Sequence, residues 1–281
     1  MAADSDPVRP PVQRAEPAHF GPHRFNAGPG GGSQRFREAR FEVADIRGSR
    51  FTDCDMSGVT IRDCWLANVS ISGYVDNLTV NGVDVTEFVN AELDRRHPER
   101  AQLREAQTAD DIRALWDTIE RLWARATERA GRLPATALDQ QVSEEWSVKQ
   151  TLRHLIFITD AWARRTVLDE ELPYHPIGLP QSWYPPAEAA ALGIDLGAQP
   201  GYTEILEVRA GRMAVMRGIV ASLADADLGR ACRRSPAPGY PEEERTVIDC
   251  IAVVMDEEIE HYRFAARDLA TLEAGNAPTA R

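Results

Sequence analysis

The sequence predicts a multi-domain chain in which a short repeat unit precedes an all-α four-helix bundle, and three observations predict it. Large apolar residues recur every five positions from Phe36 to Ile71. Beyond His97-Pro98 that period gives way to long stretches with apolar residues three and four apart, the spacing of one helix face. The segment 1–34 is rich in Pro, Gly and Ala, carries GPGGGS at 28–33 and has nothing to bury, so it reads as a disordered tail. The expected division is therefore a tail over 1–34, a repeat unit with its cap over 35–98, and the bundle over 99–275.

The repeat comes first. Its large positions are Phe36, Phe41, Ile46, Phe51, Met56, Ile61, Leu66 and Ile71, and the residues two before the later seven are Ala39, Ala44, Ser49, Cys54, Val59, Cys64 and Val69. A strict five-residue period fits neither a helix near 3.6 nor a flat strand at 2, so it reads as a repeat architecture. The pattern resembles the pentapeptide-repeat family, in which the large residue and the small one two before it both point into a right-handed, four-sided β-helix. The resemblance implies about two coils for these eight units, stacked at about 4.8 Å. Cys54 and Cys64 fall on the small positions and read as packing residues. So short a stack needs a cap. LTVNGVDV at 78–85 reads as two short strands about an Asn81-Gly82 turn, followed by a helix over 86–95.

The bundle helices follow in order. The first starts at Thr108, with Asp111 three residues on as a capping-box variant, and carries the stripe Ile112, Leu115, Ile119, Leu122 and Ala126 until Gly131 and Pro134 stop it. The second is capped by Ser147 with Gln150 and runs to 168. A long loop rich in Pro, Tyr and Trp leads to a third helix over 203–223, with Leu206, Arg209, Met213, Met216, Val220 and Leu223 on its stripe. The fourth spans 243–272. Four such helices with long second and third connections predict a four-helix bundle.

Candidate chemistry lies on the fourth helix, whose inward stripe is Val247, Cys250, Val254, Glu257, His261 and Phe264. Two ionisable groups interrupt a core seam. Four residues advance about 400° and rise about 6 Å, so Glu257 and His261 share a face one turn apart. A buried carboxylate needs a positive or proton-donating partner. His154, within the apolar LRHLIFITDAW of the second helix, can provide it. Each histidine alone reads as an ordinary core or surface residue, and Glu257 can simply pair with His261. Taken together, two histidines and one carboxylate from two helices read as ligands for one divalent ion, with positions left open. Glu258, one row off the seam, is the alternative carboxylate. Arg209 reads either as a clamp for a substrate carboxylate or as a side chain snorkelling to the bundle's end. His175, with Tyr174, Trp183 and Tyr184, either roofs the site or packs its own loop.

EWSVKQTLRHLIFITDAW and DEEIEHYRFAARDL, within 108–272, resemble the DinB/YfiT-like metalloenzyme superfamily, which includes mycothiol-dependent maleylpyruvate isomerases and bacterial thiol S-transferases. That family places one His on its second helix and an HxxxH or ExxxH pair on its fourth, matching His154, Glu257 and His261. Glu at 257 follows the isomerase-like variant. The resemblance implies a divalent metal, with Zn, Ni, Mn and Fe(II) all open. It also implies a low-molecular-weight thiol such as mycothiol, a small electrophile as second substrate, and a homodimer. The expected function is metal-dependent activation of that thiol for S-transfer or thiol-assisted isomerisation. The alternative is an interaction or ligand-binding protein with a structural metal and a repeat docking surface.

Whole-chain properties narrow the class. A net charge of −12 over 281 residues argues against a nucleic-acid partner, which needs a basic face. No stretch approaches the roughly 20 apolar residues of a membrane span, and the N-terminus shows no basic-then-apolar signal. The four cysteines form no CxxC pair, consistent with reduced thiols and a cytoplasmic protein.

Overall fold

The computed structural model describes residues 36, 38–52, 54–182 and 184–276. The expected disordered tail therefore lies outside the described residues. The chain divides into two units between Tyr74 and Val75.

In the first unit the five-residue period is present in the backbone. Left-handed φ recurs at Glu38, Val43, Gly48, Gly58, Asp63, Asn68 and Gly73, with Asp53 outside the described residues. Ala39, Ser49 and Val59 donate their N–H groups to the carbonyls of Phe36, Ile46 and Met56, each at 3.1 Å. A closing bond from i+3 to i with positive φ at i+2 is the type II pattern, so each of these turns starts on a large repeat residue. No strand forms among the described residues of 36–73, and the expected β-helix ladder is not seen there. The large positions are 45% to 71% exposed. Two coils offer each strand at most one neighbour, which leaves little ladder to form and little interior to fill.

The second unit opens with the expected hairpin. β1 (Thr79–Val80) pairs antiparallel with β2 (Val83–Asp84), and Asn81 and Gly82 both have positive φ, as a type I′ turn requires. α1 (Thr86–Arg96) and α2 (Pro98–Glu105) follow. This hairpin and the two helices fall within the helical unit. Ion pairs tie the two helices to that unit. Asp94 of α1 pairs with Arg104 and, at 3.4 Å, with Arg100, and Arg100 reaches Glu260 at 3.1 Å on the last long helix.

The bundle consists of α3 (Ala109–Ala130), α4 (Val148–Ile158), α6 (Tyr202–Ser222) and α8 (Val247–Asn276), with the short α5 (Pro186–Ala191) and α7 (Asp225–Leu228) in the connections. Capping boxes at Thr108/Asp111 and Ser147/Gln150 start α3 and α4 where the sequence placed them. Ser147→Ala is expected to cost about 1 kcal/mol, the usual worth of such a cap, measured by urea unfolding. On α3 the whole predicted stripe is buried, joined by Trp116 and Trp123.

Three helices differ from expectation. The second does not run on as an α-helix. After Ile158 it widens into a π-helix over Thr159–Val167, in which Leu168 N–H bonds to Ala163 C=O, five residues back. Here Thr159 Oγ1 donates to Leu155 C=O at 2.9 Å, competing with the backbone for that carbonyl. Wholly buried Asp160 is held by Arg212 at 3.0 Å through two bonds and by Arg164. The fourth helix starts at Val247 because the residues before it form β4 (Arg245–Thr246), paired with β3 (Ala231–Cys232). On α6, Ile205 and Ile219 are buried, while Leu206 and Met213 of the predicted stripe are only partly so.

Candidate metal centre

α4 and α8 lie against each other, and their packing faces bring His154, Glu257 and His261 together. Each offers one ligand atom, and these atoms lie within 4.8 Å of one another. Glu257 Oε2 is the shared point, 3.4 Å from His154 Nε2 and 3.1 Å from His261 Nε2. His154 is buried, and the other two are partly open.

The tautomer of His154 follows from its other nitrogen. Nδ1 lies 2.9 Å from the carbonyl of Leu179, in the connection after the π-helix. A carbonyl only accepts, so Nδ1 carries a proton and Nε2 is the nitrogen turned toward Glu257. Burial alone would raise the Glu257 carboxyl, but hydrogen bonds from His154 and His261 outweigh it and hold the group well below the usual carboxylate range. Two neutral imidazoles and one ionised carboxylate are a donor set that can hold a divalent ion and leave it a net positive charge. Three protein ligands leave coordination positions open for exchange.

Glu258 is not a fourth ligand. It is fully buried and forms an ion pair with Arg209 of α6, whose guanidinium lies 5.8 Å from the Trp123 ring centroid. Burial pushes the Glu258 carboxyl up, and Arg209 opposes it. At 4% exposure, Arg209 is buried rather than snorkelling out to solvent. One residue of helix register, about 100°, sends adjacent glutamates to different tasks. His175 donates its backbone N–H to Asp160 Oδ2 at 3.0 Å, and its Nδ1 accepts from Ile177 N–H at 3.3 Å. Desolvation and the Arg212 charge lower its pKa. It belongs to the Asp160 cluster and is not one of the converging ligands. Tyr174 and Tyr184 pack about Phe157 of α4, each with centroids 6.0 Å away, and Trp183 is outside the described residues.

Two contributors went unread in the sequence. The Leu179 carbonyl is a backbone group and has no sequence signal. Trp146 stands one residue before the Ser147 cap, where a hydrophobic residue is ordinary. Its ring lies 4.6 Å from that of His154 and 5.8 Å from that of His261.

The model of the DinB superfamily matches residues 118–265, and that of pentapeptide repeats matches eight copies over 35–73. Neither the curated proteins nor the solved structures yield a match. Among the described residues, no helix is long and apolar enough to cross a membrane.

Proposed function

Because this chain belongs to the DinB superfamily and two of its helices converge two imidazoles and a carboxylate, we propose that it is a metal-dependent enzyme of thiol chemistry. The proposed reaction is activation of a low-molecular-weight, mycothiol-like thiol for S-transfer to a small electrophile, or for thiol-assisted isomerisation of one. The observation that carries this is the three-ligand, partly open donor set. A divalent ion held there would supply a positive centre at which a thiol loses its proton at neutral pH. The chain's own part is positional. His154, fixed by Leu179, forms the buried side of the centre, and Glu257 and His261, one turn apart on α8, form its partly open side. No side chain among these three needs to act as a strong base. The repeat unit is read as a short β-helix, and the enzyme as a cytoplasmic homodimer. The thiol, the β-helix and the homodimer rest on family resemblance, and the compartment on the sequence's lack of a span or targeting signal.

The test is turnover. Protein loaded in turn with Zn, Ni, Mn and Fe(II) is assayed with mycothiol, glutathione and cysteine against a haloalkyl probe and a cis-unsaturated diacid. Thiol consumption or cis–trans conversion that requires metal, and that His261→Ala abolishes, is expected. Full metal content without turnover for any pair would favour a structural ion in a ligand-binding bundle.

A further inference from the structure

We propose that Trp146 is a positioning residue of the metal centre, holding the His261 imidazole at its ligating angle by ring stacking where, among the described residues, no hydrogen bond to its second nitrogen does so. This rests on the assignment of His154, Glu257 and His261 as ligands.

The two histidines are anchored differently. The ring of His154 is buried and fixed from its far side by the Leu179 carbonyl at 2.9 Å. Among the described residues, the polar contact of the His261 ring is the Glu257 carboxylate. Its remaining neighbours are aromatic. The Trp146 ring is stacked on it at 13° and 5.8 Å, Phe264 stands edge-on at 6.4 Å, and His154 itself is edge-on at 4.9 Å.

A ligating histidine ordinarily donates its second N–H to a carboxylate, carbonyl or water, which fixes the ring and raises its basicity. His261 is partly open, so without an anchor its ring would be free to turn about χ2, and ordering it on ligation would cost entropy. A near-parallel indole removes that freedom without a hydrogen bond. The same indole also meets His154 at 4.6 Å with a 54° tilt, so one side chain sets the angle between the imidazoles of α4 and α8. Its own backbone is well placed for this. It immediately precedes Ser147, whose capping box with Gln150 fixes the entry to α4. The protein thus couples the start of one ligand helix to the ring orientation on the other.

The experiment compares wild type, Trp146→Phe and Trp146→Leu by Co2+ titration, following both the visible absorption of the bound ion and tryptophan emission. Leu keeps apolar bulk but not a ring, and Phe keeps a ring. Trp146→Leu is expected to weaken Co2+ binding about tenfold or more, the usual effect of losing a partner behind a ligand, and to alter the Co2+ band. Trp146→Phe should bind within about threefold of wild type, as stacking persists. It should also lose the emission quenching that Co2+ causes in wild type, because the fluorophore beside the ion is gone. Binding as tight in the Leu variant as in wild type, or a Phe variant as weak as Leu, overturns the proposal while leaving the ligand assignment intact. Failure of wild type itself to bind Co2+ overturns the ligand assignment and this proposal with it. Should the Leu variant lose its helical circular dichroism, the Phe variant decides alone, and either weak binding or retained quenching overturns the inference.

Discussion

Glu258→Ala is expected to destabilise the helical unit by about 3–5 kcal/mol, the range for removing one partner of a buried ion pair. The carboxylate is fully buried, Arg209 is 4% exposed, and the two meet between α6 and α8. Arginine stays protonated under all ordinary conditions, so the truncation leaves a desolvated cation that no proton transfer can relieve. The pair is imperfect even in wild type, since Arg209 Nη1 and Glu258 Oε1 both lack a hydrogen-bond partner among the described residues. Replacing both residues, as in Arg209→Met with Glu258→Leu, removes the charges together and should recover most of the loss, because a buried pair and a well-packed apolar pair have similar net worth. Urea unfolding of the two single variants and the double variant makes a cycle that isolates the interaction. A single-variant cost below about 1 kcal/mol would mean that water reaches the pair.

Most of the helical unit was legible from residue patterns. The stripe on α3, the caps at Thr108 and Ser147, and the Asn81-Gly82 turn all depend on local chemistry, and local chemistry is what a sequence displays. The placement of Glu257 and His261 on one face follows from helix geometry alone, and His154 was found because it stands in an apolar run. What was missed depends on distant partners. The π-helix carries Asp160, whose partner Arg212 lies 52 residues further along the chain. Arg209 could be placed on the α6 stripe, but its partner Glu258 lies 49 residues away. The Glu257–Glu258 pair shows the limit most clearly, since adjacent like residues differ only in the rotation of α8. In the repeats the five-residue period survives as a series of left-handed turns, while the ladder expected to join them is absent from the described residues.

The second large effect separates function from stability. His154→Ala, Glu257→Ala and His261→Ala are each expected to abolish metal binding, since two remaining ligands hold a divalent ion far more weakly than three. His261→Ala should cost little in the fold of the metal-free protein, because the site is partly open and the carboxylate can take up a proton once its partner is gone. Glu258→Gln is the opposite case, expected to weaken the core while leaving the three ligands in place. Metal content should therefore vary independently of helix content across these variants.

The most direct test is elemental analysis of wild type, the three ligand variants and Glu258→Gln after loading with divalent metal and exhaustive dialysis, with circular dichroism on the same samples. The expected result is about one ion per chain in wild type and Glu258→Gln, and none in His154→Ala, Glu257→Ala or His261→Ala, all with helical signal retained. Full occupancy in His261→Ala, or loss of metal only in Glu258→Gln, would contradict the assignment of the centre.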